Sequence, residues 1–146
     1  MKVLIKKLSP LAQIPKKTYK DDFCYDVVAT SEEEIAPNVW KYGVGLAFQI
    51  VRPHPSIYNL AIDFRPRSSV WKTGMVLSNC VGTIDEPYRG EVSAVFYHLN
   101  TSLPRYKVGD KIGQLKLGIT TPIEWQETDT LDQTERGDKG YGSTGK

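Results

Sequence analysis

A chain of 146 residues with 19 basic and 17 acidic side chains carries a formal charge of +2, which suits one domain with a modest core. No concentrated basic block is present, so a nucleic-acid surface is not expected. No apolar run is long enough for a signal peptide or membrane span. Cys24 and Cys80 fit neither zinc-ligand spacing nor a disulfide framework, which predicts a soluble protein of the reducing cytoplasm.

In chain order, residues 3–5 predict a short edge strand. Residues 43–51 and 57–64 predict two more, separated by a Pro-rich breaker at 52–56. Residues 68–73 suit one short turn. Residues 91–99 alternate well, with Val92, Ala94, Phe96 and His98 on one face. Residues 110–117 set Ile112, Gln114 and Lys116 against Leu115 and Leu117, and residues 123–127 read as a late strand. No stretch has a long helical period. Short strands at near-regular spacing argue for an all-β sandwich or barrel. We place one β domain at 1–127 and a polar spacer with a glycine-rich tail at 128–146.

The tail, residues 136–146, holds four glycines and no apolar residue except Tyr141. It cannot fold alone, because glycine loses the most backbone entropy on ordering and nothing is there to bury. Its N–H groups, hydroxyls, arginine and aromatic ring suit a polyphosphate. That chemistry reads as a lid closing over a nucleotide. Composition alone leaves a plain disordered terminus open.

Four further segments bear on the choice: Tyr25-Asp26-Val27, the strand end at 65–69, the polar hairpin at 79–91, and the strand start at 109–115. With the tail, these five blocks resemble, in order and over nearly the whole chain, the homotrimeric dUTPase family. The resemblance implies a jelly-roll or distorted β-barrel fold with a flexible C-terminal tail. It also implies Mg²⁺-assisted hydrolysis of dUTP to dUMP and pyrophosphate, by water attack on the α-phosphorus. In that family each active site is shared, with blocks one, two and four from one subunit, block three from the next and the tail from the third.

The resemblance makes Asp85 the water-activating carboxylate. Its neighbours Ile84 and Pro87 predict partial desolvation, against the plainer alternative of a turn aspartate. Asn79, with the backbone of Gly82, Thr83 and Ile84, would read the uracil edge, since an amide both donates and accepts. The Tyr88 ring would pack on the deoxyribose and exclude a 2′-hydroxyl, and the plainer reading, a tyrosine that caps the hairpin, is compatible with that role. Arg67, Ser68 and Ser69 would seat phosphate, and Gln114 would add an amide to the α-phosphate. Arg136, Ser143 and Thr144 would grip the outer phosphates while Tyr141 stacks on the base. Asp26 would hold Mg²⁺ through water, an outer-shell role that needs one carboxylate.

Several positions depart from the family pattern. Phe23-Cys24 stands where Ala-Gly is usual, Gly113 where alanine is usual, and Tyr141 where phenylalanine is usual. Residues 52–58 read as a somewhat longer loop than the family norm, a candidate surface for a regulatory protein partner. His54 and His98 match no motif and are expected to be structural, and Trp40, Trp71 and Trp125 to serve packing or an interface. Two other readings stay open: a dCTP deaminase, which shares the fold, and a nucleotide-gated binding protein that acts on a partner.

Overall fold

The computed structural model describes residues 1–52, 54 and 57–140. Among them the chain forms ten strands and a single 3-10 turn at Val70–Thr73. The strands are β1 (Lys2–Lys7), β2 (Tyr25–Val28), β3 (Ser31–Ala36), β4 (Val39–Gly43) and β5 (Leu46–Val51). They continue with β6 (Asn59–Arg65), β7 (Met75–Leu77), β8 (Gly82–Asp85), β9 (Ser93–His98) and β10 (Lys111–Thr120). Three antiparallel sheets result, ordered β1-β5, β2-β10-β6-β8 and β3-β4-β9-β7. This is the all-β architecture that the strand spacing predicts, in the jelly-roll-like form that the family resemblance implies.

The core lies between the two larger sheets. Phe96 of β9 is completely buried and meets three rings edge-on: Tyr42 at 5.9 Å, Phe64 at 6.4 Å and Tyr106 at 5.6 Å. The Tyr42 hydroxyl donates to the Tyr106 carbonyl at 2.9 Å, so the buried phenol keeps a partner. Edge-to-face pairs contribute about 1 kcal/mol each beyond area burial. Truncating Phe96 would therefore cost about 3–5 kcal/mol.

Three departures from the sequence reading have physical causes. The stretch 43–51 is two strands, because Gly45 takes φ +66° and turns the chain from the β4 sheet into the β5 sheet. A side chain there would strike Ser9 and Thr30, so glycine is required. In β10 a bulge between Lys111 and Gly113 breaks the strict alternation, which buries both Ile112 and Gly113 and sends Gln114 toward β2. Residues 123–127 form no strand: everything from 121 to 140 is exposed and unpaired with the sheets. Among the described residues no helix is long and apolar enough to cross a membrane.

Candidate active site

The β2, β10 and β6 strands bring blocks one, two and four together. Gln114 stands opposite Asp26 in one ladder and opposite Arg65 in the other, and Arg67 lies just past the end of β6. Asp26 is 7% exposed. Its Oδ1 accepts the Gln114 amide at 3.0 Å, and its Oδ2 accepts Lys111 Nζ at 2.8 Å and the Thr18 hydroxyl at 3.0 Å. Arg67 Nε stands 3.5 Å from Oδ1 but is not aligned to donate, and it is buried without a hydrogen-bond partner among the described residues. Burial pushes the Asp26 carboxyl up, but hydrogen bonds from Lys111, Gln114 and Thr18, with the Lys111 charge, outweigh it. The net shift is downward, so the group stays ionised. Lys111 and Thr18 are members of this cluster that the sequence reading missed. Lys111 sits three residues before Gln114, where proximity was the only signal, and Thr18 gave none.

Ser68 is exposed and Ser69 half-buried at the start of the 3-10 turn. The Ser69 hydroxyl does not cap that turn. Both serines follow Arg67 directly in sequence, past the end of β6.

Block three is built on β8. Gly82 pairs with Phe64, Thr83 with Asp63, Ile84 with Ile62 and Asp85 with Ala61. Ile84 packs against the core, which sends Thr83 and Asp85 to the other face by strand alternation. The Asn79 amide lies over Gly82, where a Cβ would meet Nδ2 at 3.4 Å, and Cys80 makes the intervening turn at φ +61°. Asp85 is exposed, so Ile84 and Pro87 do not desolvate it within one chain. It borders a cleft of about 690 Å³ shared with Asn59, Asp63 and Lys116. Tyr88 N–H donates to the Asp85 carbonyl at 3.0 Å, and its hydroxyl donates to the Glu91 carbonyl at 3.1 Å. The hairpin-capping role of Tyr88 is thus realised.

The two clusters do not meet in one chain. Asp85 is opposite Ala61 and Gln114 opposite Arg65, four residues apart on β6. At about 3.3 Å per residue that is roughly 13 Å along the strand, and β8 and β10 lie on opposite edges of β6. In the tail, Arg136 is exposed and its Nε donates to the Lys139 carbonyl at 3.1 Å. Tyr141, Ser143 and Thr144 lie outside the described residues. His98 is buried with Nε2 3.0 Å from the Leu103 carbonyl, a structural contact, as expected.

The donor set limits how a cation would be held. Among the described residues no three His, Cys, Asp or Glu side chains gather as a metal cage. Asp26 is one ionised carboxylate whose Oδ1 takes a single aligned hydrogen bond, which leaves an acceptor direction for a water. Asp26 therefore fits a hard cation that it would hold through one of the cation's waters.

Fold and site together define an all-β scaffold that assembles a carboxylate, an amide and two cationic side chains where β2, β10 and β6 meet. A model of the dUTPase family matches residues 11–145. Deoxyuridine 5′-triphosphate nucleotidohydrolase of Nautilia profundicola is 34% identical over 148 residues, covering 100% of both chains. The enzyme of that name from Helicobacter pylori strain P12 is also 34% identical, over 99% of this chain and 97% of its own. Among solved structures, a dUTPase of Staphylococcus bacteriophage 80alpha with dUpNHpp superposes with a TM-score of 0.81 at 22% identity, over 99% and 98% of the two chains. The dUTPase from phage phi11 of S. aureus gives 0.70 at 19%, over 92% and 100%. This chain belongs to the dUTPase family.

Proposed function

We propose that the chain hydrolyses dUTP to dUMP and pyrophosphate, with water attacking the α-phosphorus. The observation that carries this reading is the meeting of Asp26, Gln114, Lys111 and Arg67, whose buried Nε lies 3.5 Å from Asp26 Oδ1 and has no hydrogen-bond partner among the described residues, which leaves it free to donate to an anion. Arg67, Ser68, Ser69 and Gln114 bind the phosphates. Asn79 and the backbone of Gly82, Thr83 and Ile84 bind uracil, and the Tyr88 ring packs on the sugar. Asp85 accepts a proton from the attacking water, a role that needs a fixed carboxylate within hydrogen-bond reach. Asp26 would hold Mg²⁺ through a water, and the cation, when bound, neutralises triphosphate charge. Arg136, Tyr141, Ser143 and Thr144 close over the ligand and exclude solvent.

The active unit is a homotrimer with shared sites. The separation of Asp85 from the Asp26 cluster supports this, since a complete site needs block three from another copy. Exposed Trp71 and Trp125, at 70% and 86%, supply apolar surface for such contacts.

Turnover of dUTP in heavy-oxygen water tests the reading, with the label expected in dUMP and none in pyrophosphate. Asp85→Asn should lower kcat by about 10³-fold while the oligomer and dUTP affinity persist. Label in pyrophosphate would overturn attack at the α-phosphorus, and unchanged turnover in the variant would remove Asp85 from its role.

A further inference from the structure

Arg52 follows β5 directly and lies far in sequence from block three, yet it is bonded to that block. Its Nε donates to Glu86 Oε1 at 2.7 Å and its Nη2 donates to Oε2, a two-point fork on the residue next to Asp85. A third nitrogen, Nη1, donates to the Tyr58 carbonyl at 2.7 Å, which anchors the guanidinium to the chain entering β6. Both side chains are about one-quarter exposed, so the pair is partly shielded. From the other side, Arg89 Nη1 donates to the carbonyls of Glu86 and Tyr88. The turn 85–88 is closed by the Tyr88 N–H on the Asp85 carbonyl. Two guanidiniums therefore grip the turn that begins at Asp85, one through a side chain and one through the backbone.

We infer that Arg52 is a positioning residue for Asp85, acting through Glu86 and tying the ends of β5 and β6, at Arg52 and Tyr58, to the turn that carries the reacting carboxylate. The inference rests on the hydrolase reading above. A planar guanidinium suits this task because a fork fixes both distance and orientation, whereas an ammonium fixes only distance. Asp85 is exposed and is the last paired residue of β8, opposite Ala61, so the turn that follows it lies beyond the ladder and is held by these bonds instead. A displacement of about 1 Å in a reacting group can cost about 10²-fold in rate. Substrate affinity depends on other groups, those of the base hairpin and the phosphate seat. Loss of Arg52 should thus appear chiefly in kcat, with only a small rise in KM through Tyr88, the one proposed substrate contact inside the clamped turn.

The test is a double-mutant cycle with Arg52→Ala, Glu86→Ala and the pair together. Each single variant should lower kcat by about 10- to 100-fold with KM within about twofold, and the double should be no slower than the worse single. Arg52→Lys should fail to restore the full rate. Additive losses, an effect confined to KM, or full activity with lysine would each overturn the inference. A second readout is independent of turnover: hydrogen exchange at the Tyr88 amide should quicken in Arg52→Ala at unchanged melting temperature. Unchanged exchange there overturns the clamp. If the unaltered protein releases no pyrophosphate from dUTP, the hydrolase reading fails, and the exchange measurement alone judges the clamp.

Discussion

Gln114 faces Asp26 across the β10–β2 ladder and donates its amide to Oδ1 at 3.0 Å. The ladder register thus sets a phosphate-binding candidate and a carboxylate side by side before any ligand arrives. The arrangement ties stability to the same groups that the proposed reaction uses, and it makes the site's electrostatics measurable without substrate.

Asp26→Asn should destabilise the fold by about 2 kcal/mol at pH 7, because hydrogen bonds from Lys111, Thr18 and Gln114 lose their charged acceptor. The folded pKa is depressed. Its contribution is therefore complete above the unfolded value of about 3.9 and is lost as pH falls through the folded value. Urea unfolding of both proteins between neutral and acid pH should show the gap closing below about pH 4. A gap that stays constant into acid would mean that the carboxylate is not held by these donors.

Removal of residues 136–146 should leave the melting temperature unchanged, since the whole segment from 121 to 140 is exposed and makes no strand pairs. Turnover of dUTP should fall at least about 100-fold, the cost typical of losing charge-stabilising donors from a closed site. Calorimetry and steady-state kinetics on one preparation separate the two effects. Full activity without the tail would refute the lid.

The fold class, the strands around 57–64 and 91–99 and the five blocks were legible because alternation and motif order are local signals. The β3–β4 hairpin was not. Its first strand reads Ser-Glu-Glu-Glu-Ile-Ala, and its charges guard a sheet edge where a buried face would give apolar alternation. Ile123 and Trp125 alternate like a strand yet pair with no strand among the described residues. The Arg52–Glu86 fork joins residues 34 apart, and a long-range ion pair leaves no periodic trace in sequence. Asp85 looked sheltered by its neighbours, but strand alternation turned Ile84 inward and the carboxylate outward.

Tyr88 serves the hairpin through its hydroxyl and is proposed to serve sugar choice through its ring, and two variants separate these. Tyr88→Phe loses the bond to the Glu91 carbonyl and should cost about 1 kcal/mol of stability with sugar preference intact. Tyr88→Ala should also weaken the preference for dUTP over UTP by about 10-fold or more. Competition assays with both nucleotides decide the matter. A preference unmoved by the alanine variant would remove the ring from discrimination.

Gly113 stands where the family usually has alanine, and in this chain the Phe64 ring occupies the space a methyl group would need. A Cβ built on Gly113 would lie 2.1 Å from Phe64 Cζ and 2.7 Å from both ring Cε atoms. That ring is 1% exposed and packs edge-on against Phe96 at 6.4 Å, so it has little room to withdraw. Gly113→Ala should cost about 1–3 kcal/mol, as overpacking of a core does. Because Gln114 follows directly, the strain should also shift its amide from Asp26 and slow turnover. Phe64→Leu alone should destabilise by leaving a cavity. Combined with Gly113→Ala, it should cost clearly less than the sum of the two, since the ring that clashes is gone. Chemical unfolding of the four proteins gives the coupling directly. Simple additivity would show that the glycine answers to something other than this ring.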